Sequence, residues 1–312
     1  MKFEEEKVII QGEVSIGATI SYSNKNSLSP AVVLIMGTGK TDRDGNRKGF
    51  ITDFYKNLAN LFTTHGFVCI RYDKRGIGET DGDYDTAGLE DLTKDACAVV
   101  RYIKNVSYVD KEKVILCGHS EGTMIGALLS RQESVAGVLL LGGAGMNMRD
   151  ALLYQNHLLE IEANQKKGLM GSILRSQTKN GKADKTVEAL FQKTETVKKD
   201  RFFFRGAMMN AKWLREHDSY TAFDYASMIN KLNKPVLAVT GTADLSADYK
   251  RLDIFKDIPQ VEIYAPERVN HILRQVDDEN SMLTVEKQYK RLAAQPIDEK
   301  TKKMIIEWMM KI

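Results

Sequence analysis

Six short, mostly apolar runs limit the folds open to this chain more than any other feature. They are Ala31–Met36, Phe67–Tyr72, Val114–Cys117, Val135–Leu141, Pro235–Thr240 and Val261–Tyr264. A strand with one wet face alternates polar and apolar residues; these runs do not, so each reads as a strand buried on both faces of a parallel sheet. Between them the apolar spacing becomes helical. Phe50, Phe54, Leu58, Leu61 and Phe62 share one stripe, and Leu89, Leu92, Ala96, Val99 and Ile103 share another. Alternating strands and helices predict a doubly wound α/β domain. Two β-like segments near the start, Val8–Val14 and Ala18–Tyr22 joined through Gly17, suggest that the sheet opens with antiparallel strands.

One stretch breaks the alternation. From Gly145 to about Leu232 the sequence shows only helical periodicity, rich in Lys, Met and aromatics. The expected organisation is a core domain of residues 1–144 and 233–312 with a helical insertion, 145–232, above the sheet. The basic segment from Arg175 to Arg201 reads as a solvated helix surface.

Charge narrows the classes of partner. The 45 basic and 42 acidic side chains leave a net charge of +3, which gives no electrostatic reason to expect a nucleic acid. The three cysteines, Cys69, Cys97 and Cys117, sit in apolar runs without a C-x-x-C pair, which suits buried thiols in a reducing compartment. The start, Met1-Lys2-Phe3-Glu4-Glu5-Glu6, lacks the apolar core of a signal peptide, and no stretch reaches the ~20 apolar residues of a membrane span. The expectation is a soluble cytoplasmic protein with no membrane partner.

The sharpest local signal is Gly118-His119-Ser120-Glu121-Gly122. A strand-like run enters it and a helical run, Thr123 to Ser130, leaves it, which is the context of a nucleophile elbow. A serine hydroxyl needs a base, and the base needs an orienting acid. Of the five histidines, His65 ends a helix, His119 lies inside the elbow, and His157 and His217 lie in the insertion. His271 follows the last strand, where the base belongs. Asp244 follows Pro235–Thr240 and is the expected acid; Asp248 lies a helical turn too far along, and a simple helix N-cap is the competing role for Asp244. The order Ser120, Asp244, His271 is that of α/β-hydrolases. Two backbone N–H groups must then face the developing oxyanion. Glu121 supplies one, and Thr38, in Met36-Gly37-Thr38-Gly39, the other. The segment Gly37 to Thr41 echoes a phosphate loop but lacks the G-x-x-x-x-G-K-[ST] spacing.

With these residues in view, the chain resembles the serine α/β-hydrolases of the esterase/acylaminoacyl-peptidase type, especially bacterial cytoplasmic carboxylesterases. The resemblance rests on Gly37-Thr38-Gly39 with Thr41-Asp42-Arg43-Asp44-Gly45-Asn46, on Tyr72-Asp73-Lys74-Arg75-Gly76-Ile77-Gly78, on the elbow, on Trp213-Leu214-Arg215, on Pro235–Asp244 and on Asn270-His271. It implies an α/β-hydrolase fold with a mostly parallel eight-stranded sheet flanked by helices, and a helical cap between strands 6 and 7. It also implies a cofactor-free acyl hydrolase with Ser120, Asp244 and His271 as triad. Lys40 departs from the proline expected in such proteins, and a looser oxyanion loop is expected for it.

The expected activity is hydrolysis of a small or medium carboxylic ester through an acyl-serine, with a thioesterase, a peptidase or amidase, and a slowly turning ligand receptor as the alternatives. No H-E-x-x-H or comparable spacing points to a metal. Phe202, Phe203, Phe204, Met208, Met209 and Trp213 crowd the end of the insertion. Phe203, Met208 and Trp213 are the expected walls of a substrate pocket, against a competing role in fastening the insertion to the core. The expected partner is a small-molecule ester; a homo-oligomer is left open.

Overall fold

The computed structural model describes residues 3–312, with backbone alone at 170 and 180; Met1 and Lys2, the first residues of the N-terminal stretch read above, lie outside them. Its centre is an eight-stranded sheet of β1 (Glu4–Gln11), β2 (Ser15–Tyr22), β3 (Ser29–Ile35), β4 (Val68–Tyr72), β5 (Val109–His119), β6 (Gly137–Leu141), β9 (Val236–Val239) and β10 (Val261–Tyr264). The spatial order is β1-β2-β4-β3-β5-β6-β9-β10. β1 pairs antiparallel with β2 and β2 antiparallel with β4, while every other pairing is parallel. This is the α/β-hydrolase architecture.

Alternate residues of the central strands enter two different cores. Ala31, Val33, Leu116, Val138 and Ala238 pack on one face with α2 (Leu89–Lys104), α3 (Glu121–Leu129) and α8 (Ala222–Lys231). Val32, Leu34, Cys117, Leu139 and Val239 pack on the other with α1 (Phe54–Thr64), α9 (Val285–Leu292) and α10 (Glu299–Met309). Apolar side chains at consecutive positions are therefore required, and the runs show no alternation for this reason. The three thiols are free and buried.

Four details differ from the sequence reading. The first turn is at Gly12–Val14, where Gly12 N–H bonds Val14 O, and Gly17 lies inside β2 rather than between strands. Phe50 lies in the loop before α1, not on its stripe, and pairs with Arg47 in an isolated bridge. The segment after β6 holds α4 (Met148–Gln165), α5 (Gly168–Thr178), α6 (Lys182–Thr196) and α7 (Ala211–Asp218), but it is not wholly helical. Between α6 and α7 a hairpin forms from β7 (Arg201–Phe204) and β8 (Ala207–Asn210). Its two turn residues, Arg205 at φ 45° and Gly206 at φ 90°, both adopt the left-handed region that a tight hairpin turn demands. Fourth, α8 lies before residue 232 yet buries Tyr225, Met228 and Ile229 in the sheet core, with the Tyr225 hydroxyl donating to Thr123 O. The segment before α8 has a small core of its own around Val187, Leu190, Phe191, Phe202 and Leu214.

The margins of the sheet are unlike its centre. β1 exposes Glu4, Glu5, Glu6 and Lys7, and β10 is only four residues long, with Glu262 and Ile263 exposed.

Candidate active site

At the end of β5 the chain turns into α3 through Ser120, whose φ of 55° and ψ of −123° are strained for a residue with a Cβ. Its N–H bonds Leu141 O at the end of β6, so the turn is tied to the neighbouring strand. The last strands end beside it. Asp244, 2% exposed, follows β9, and His271 stands in the loop after β10. His271 Nδ1 lies 2.8 Å from Asp244 Oδ2. The other carboxylate oxygen accepts the N–H groups of Ser246 (2.7 Å) and Ala247 (3.0 Å), and Tyr154 of α4 donates to the Asp244 carbonyl (3.0 Å). The carboxylate is thereby oriented with one oxygen for the imidazole. Asp244 caps no helix; Asp248 does, accepting Lys250 N–H at the start of a 3-10 turn. Tyr289 stacks on His271 at 6.4 Å between ring centres.

His119 is the part of the elbow that the sequence did not explain. It is buried, with Nδ1 2.9 Å from the Tyr55 hydroxyl and Nε2 2.9 Å from the carbonyl of His271. Burial and the neighbouring His271 push its pKa well below the ordinary value, so the ring is neutral. A neutral ring donates from one nitrogen and accepts at the other. Nε2–H donates to His271 O, Nδ1 accepts from Tyr55 O–H, and the same phenol oxygen accepts Gly37 N–H at 2.8 Å. Three bonds thus join the β3 loop to the backbone of His271.

Thr38 is exposed, but its neighbours are fixed. Gly37 N–H is held by Tyr55 and Gly39 N–H by the Tyr84 hydroxyl (2.7 Å). Lys74, 4% exposed, reaches the carbonyl of Gly37 at 2.6 Å and also that of Gly39. Burial lowers its pKa to about 8, against a smaller upward pull from Glu121. Lys40 pairs with Asp85 at 2.6 Å. The loop expected to be loose without a proline is anchored at both its amides and its carbonyls.

Glu121 follows Ser120 and buries its carboxylate completely. Oε1 accepts from Trp213 Nε1 (2.5 Å) and from His217 Nε2 (2.8 Å), both on α7, while Oε2 is buried without a partner. Burial pushes its pKa up, but the His217 hydrogen bond and charge with Lys74 and Trp213 outweigh it, and the net shift is downward. His217 was read only as an insertion residue; it is 2% exposed and belongs here. His65 and His157 are exposed and make none of these hydrogen bonds.

Of the expected pocket residues, Met208 and Trp213 line a cavity of about 190 Å³ together with Thr38, Tyr84, Met209 and Leu214. A smaller cavity of about 50 Å³ opens beside Ser120, lined by Gly142, Gly143, Met146 and His217. Phe203 lies in neither wall. It faces Met208 across the hairpin and is 67% exposed. The hairpin is tied to the core by Arg201, which pairs with Asp83.

The chain is similar to several known proteins. Residues 49–264 match the family model described as serine aminopeptidase, S33 (Hydrolase_4). The esterase Est1E of Butyrivibrio proteoclasticus, solved with ferulic acid, superposes with a TM-score of 0.58 at 16% identity, over 93% of this chain and 99% of that one. The esterase Pf2001 of Pyrococcus furiosus gives 0.59 at 14% identity, over 99% and 91%. In sequence, the mitochondrial palmitoyl-protein thioesterase ABHD10 of Pongo abelii is 27% identical over 154 residues, 49% of this chain and 44% of that protein. The chain spans less than half the length of the curated relatives it matches.

Proposed function

The chain belongs to the serine aminopeptidase, S33 (Hydrolase_4) family of α/β-hydrolases, and from that premise we propose that it hydrolyses small or medium carboxylic esters through an acyl-serine intermediate. The observation that carries the reading is the strained Ser120 at the β5–α3 turn beside a His271–Asp244 pair 2.8 Å apart. Ser120 Oγ attacks the acyl carbon and gives its proton to His271 Nε2. Asp244 holds the opposite nitrogen and stabilises the imidazolium that forms. The tetrahedral oxyanion takes hydrogen bonds from the N–H groups of Thr38 and Glu121. Collapse expels the alcohol with the proton from His271, and water, activated by the same histidine, releases the acid. No cofactor enters these steps.

In this reading residues 145–232, apart from the core-packed α8, form a cap. Met208 and Trp213 wall the acyl or alcohol pocket. Two tests carry the proposal: stoichiometric fluorophosphonate labelling of Ser120, and turnover of a panel of p-nitrophenyl esters by wild type and Ser120→Ala. An unlabelled Ser120, or equal turnover by the two proteins, overturns it. A thioesterase is the second reading, favoured by the palmitoyl-protein thioesterase relative; acyl-CoA substrates turned over faster than matched oxygen esters decide for it.

A further inference from the structure

One large cleft has neither Ser120, Asp244 nor His271 in its lining. It measures about 760 Å³ and is bounded by α1, the loop before it, α9 and the chain leading into α10. Its lining contains a guanidinium that lacks a counter-charge. Arg274 is 1% exposed, and no carboxylate of the described residues lies within 4 Å of it. Its Nη1 donates to the carbonyl of Ile272 at 2.9 Å, while Nε is buried with no partner. A buried cation in this condition is costly, and proteins ordinarily pair it. Burial lowers its pKa to about 10, an unusual value for arginine.

The rest of the lining has the same sign. Lys290 and Lys302 stand on the walls, Lys302 already paired with Glu299 at 2.5 Å, and the lining holds one carboxylate, Asp53, which accepts from Asn46 Nδ2 at 2.7 Å. Asn60 supplies a second orphan, a buried Oδ1 that accepts nothing. One cleft therefore offers an unused cationic donor and an unused acceptor.

We propose that this cleft is a binding site for a small organic anion, whose carboxylate or phosphate oxygens pair with Arg274 under Lys290 and Lys302 and whose hydroxyl donates to Asn60. A planar guanidinium suits either oxyanion. The hydroxyl distinguishes such a ligand from a bare inorganic ion. Arg274 also braces the loop that carries His271: its N–H donates to Asn270 Oδ1 and its carbonyl accepts Asn270 N–H, both at 2.9 Å. The site therefore lies behind the catalytic loop without sharing a wall with the cavities near Ser120.

The test is thermal unfolding and calorimetric titration of the full chain with inorganic phosphate, glycerol phosphate, lactate and acetate, with ionic strength held constant by KCl. A tenfold excess over Kd should raise Tm by about 2 °C or more, saturably. Glycerol phosphate or lactate should bind more tightly than phosphate or acetate. A preference between the first two identifies the oxyanion. Arg274→Gln should abolish the shift. Should that variant fail to fold, Lys302→Gln and Asn60→Leu, on the cleft wall, should each weaken binding about fivefold or more. Absence of saturable heat with all four probes overturns the proposal, as does a shift that survives the substitutions.

Discussion

Glu121 and His217 meet at 2.8 Å with neither side chain more than 3% exposed, so the residue beside the elbow serine is gripped by α7. Trp213 adds a second donor to the same carboxylate oxygen. The contact ties a proposed oxyanion amide to the segment that walls the pocket. Removing the acceptor strands the buried His217 and the part-buried Trp213 donor. Glu121→Ala should lower unfolding stability by about 3–5 kcal/mol in urea titration, and Glu121→Gln by less. A loss under 1 kcal/mol for the alanine would mean that the carboxylate holds nothing.

Ser120→Ala should reduce kcat by about 10³-fold or more, since the proposed nucleophile is lost while the binding surfaces stay. Fluorophosphonate labelling, followed by intact mass, should vanish with it. Retention of more than about a tenth of the activity would remove Ser120 from the mechanism.

Gly142 has φ +57°, and a Cβ there would stand 3.0 Å from His271 Nδ1 and 3.2 Å from Asp244 Oδ2. Alanine is strained by the backbone and wedged against the hydrogen bond that orients His271, the proposed base. Gly142→Ala should lower kcat by about 10²-fold, the scale of a misplaced catalytic group. Steady-state kinetics settles it: wild-type kcat would show that the pair tolerates the methyl group.

Lys74 holds two carbonyls of the loop that positions Thr38. Lys74→Met should lower kcat by about 10²-fold with a smaller change in KM, because a misdirected oxyanion amide acts in the transition state. The same residue predicts a pH effect on stability. Its folded pKa, about 8, lies below the ordinary lysine value of 10.5, so folding disfavours its charged form. The cost is fully present below pH 8 and is relieved as pH rises toward 10.5, where the unfolded chain still holds the proton. The stability of wild type relative to Lys74→Met should therefore rise across that window, by on the order of 3 kcal/mol. A flat difference in urea unfolding from pH 8 to 10.5 would contradict the burial of a charge there.

Met208→Ala and Trp213→Ala should change the ratio of kcat/KM between short and longer acyl esters by about tenfold. An unchanged chain-length profile would make both residues structural.

The sheet was legible because strands buried on both faces leave an unbroken apolar signature, and Val32 and Val33 feeding opposite cores explain it residue by residue. The residues read as triad were legible for a different reason: chain order and the ends of strands locate Ser120, Asp244 and His271 before any distance is known. The β7–β8 hairpin was not, since four-residue strands of Phe and Met carry no period, and only the Arg205-Gly206 dipeptide hints at the turn. The Tyr55–His119–His271 relay and the Lys74 grip on the loop were also hidden. They join residues far apart in sequence through single atoms, and a motif such as Tyr72-Asp73-Lys74-Arg75 marks the place without saying which carbonyl the ammonium meets. His217 looked like one helix histidine among others because nothing local announces a carboxylate some hundred positions earlier.

The open margins of the sheet have a consequence for how copies of this molecule meet. Along β1 an approaching strand encounters Glu4, Glu5, Glu6 and Lys7, and along β10 it finds four residues with a glutamate among them. Charged and short edges of this kind deny a neighbour the ladder it needs to extend a sheet from one chain into the next. Both edges of the sheet thus carry a built-in obstacle to backbone pairing between copies of the chain.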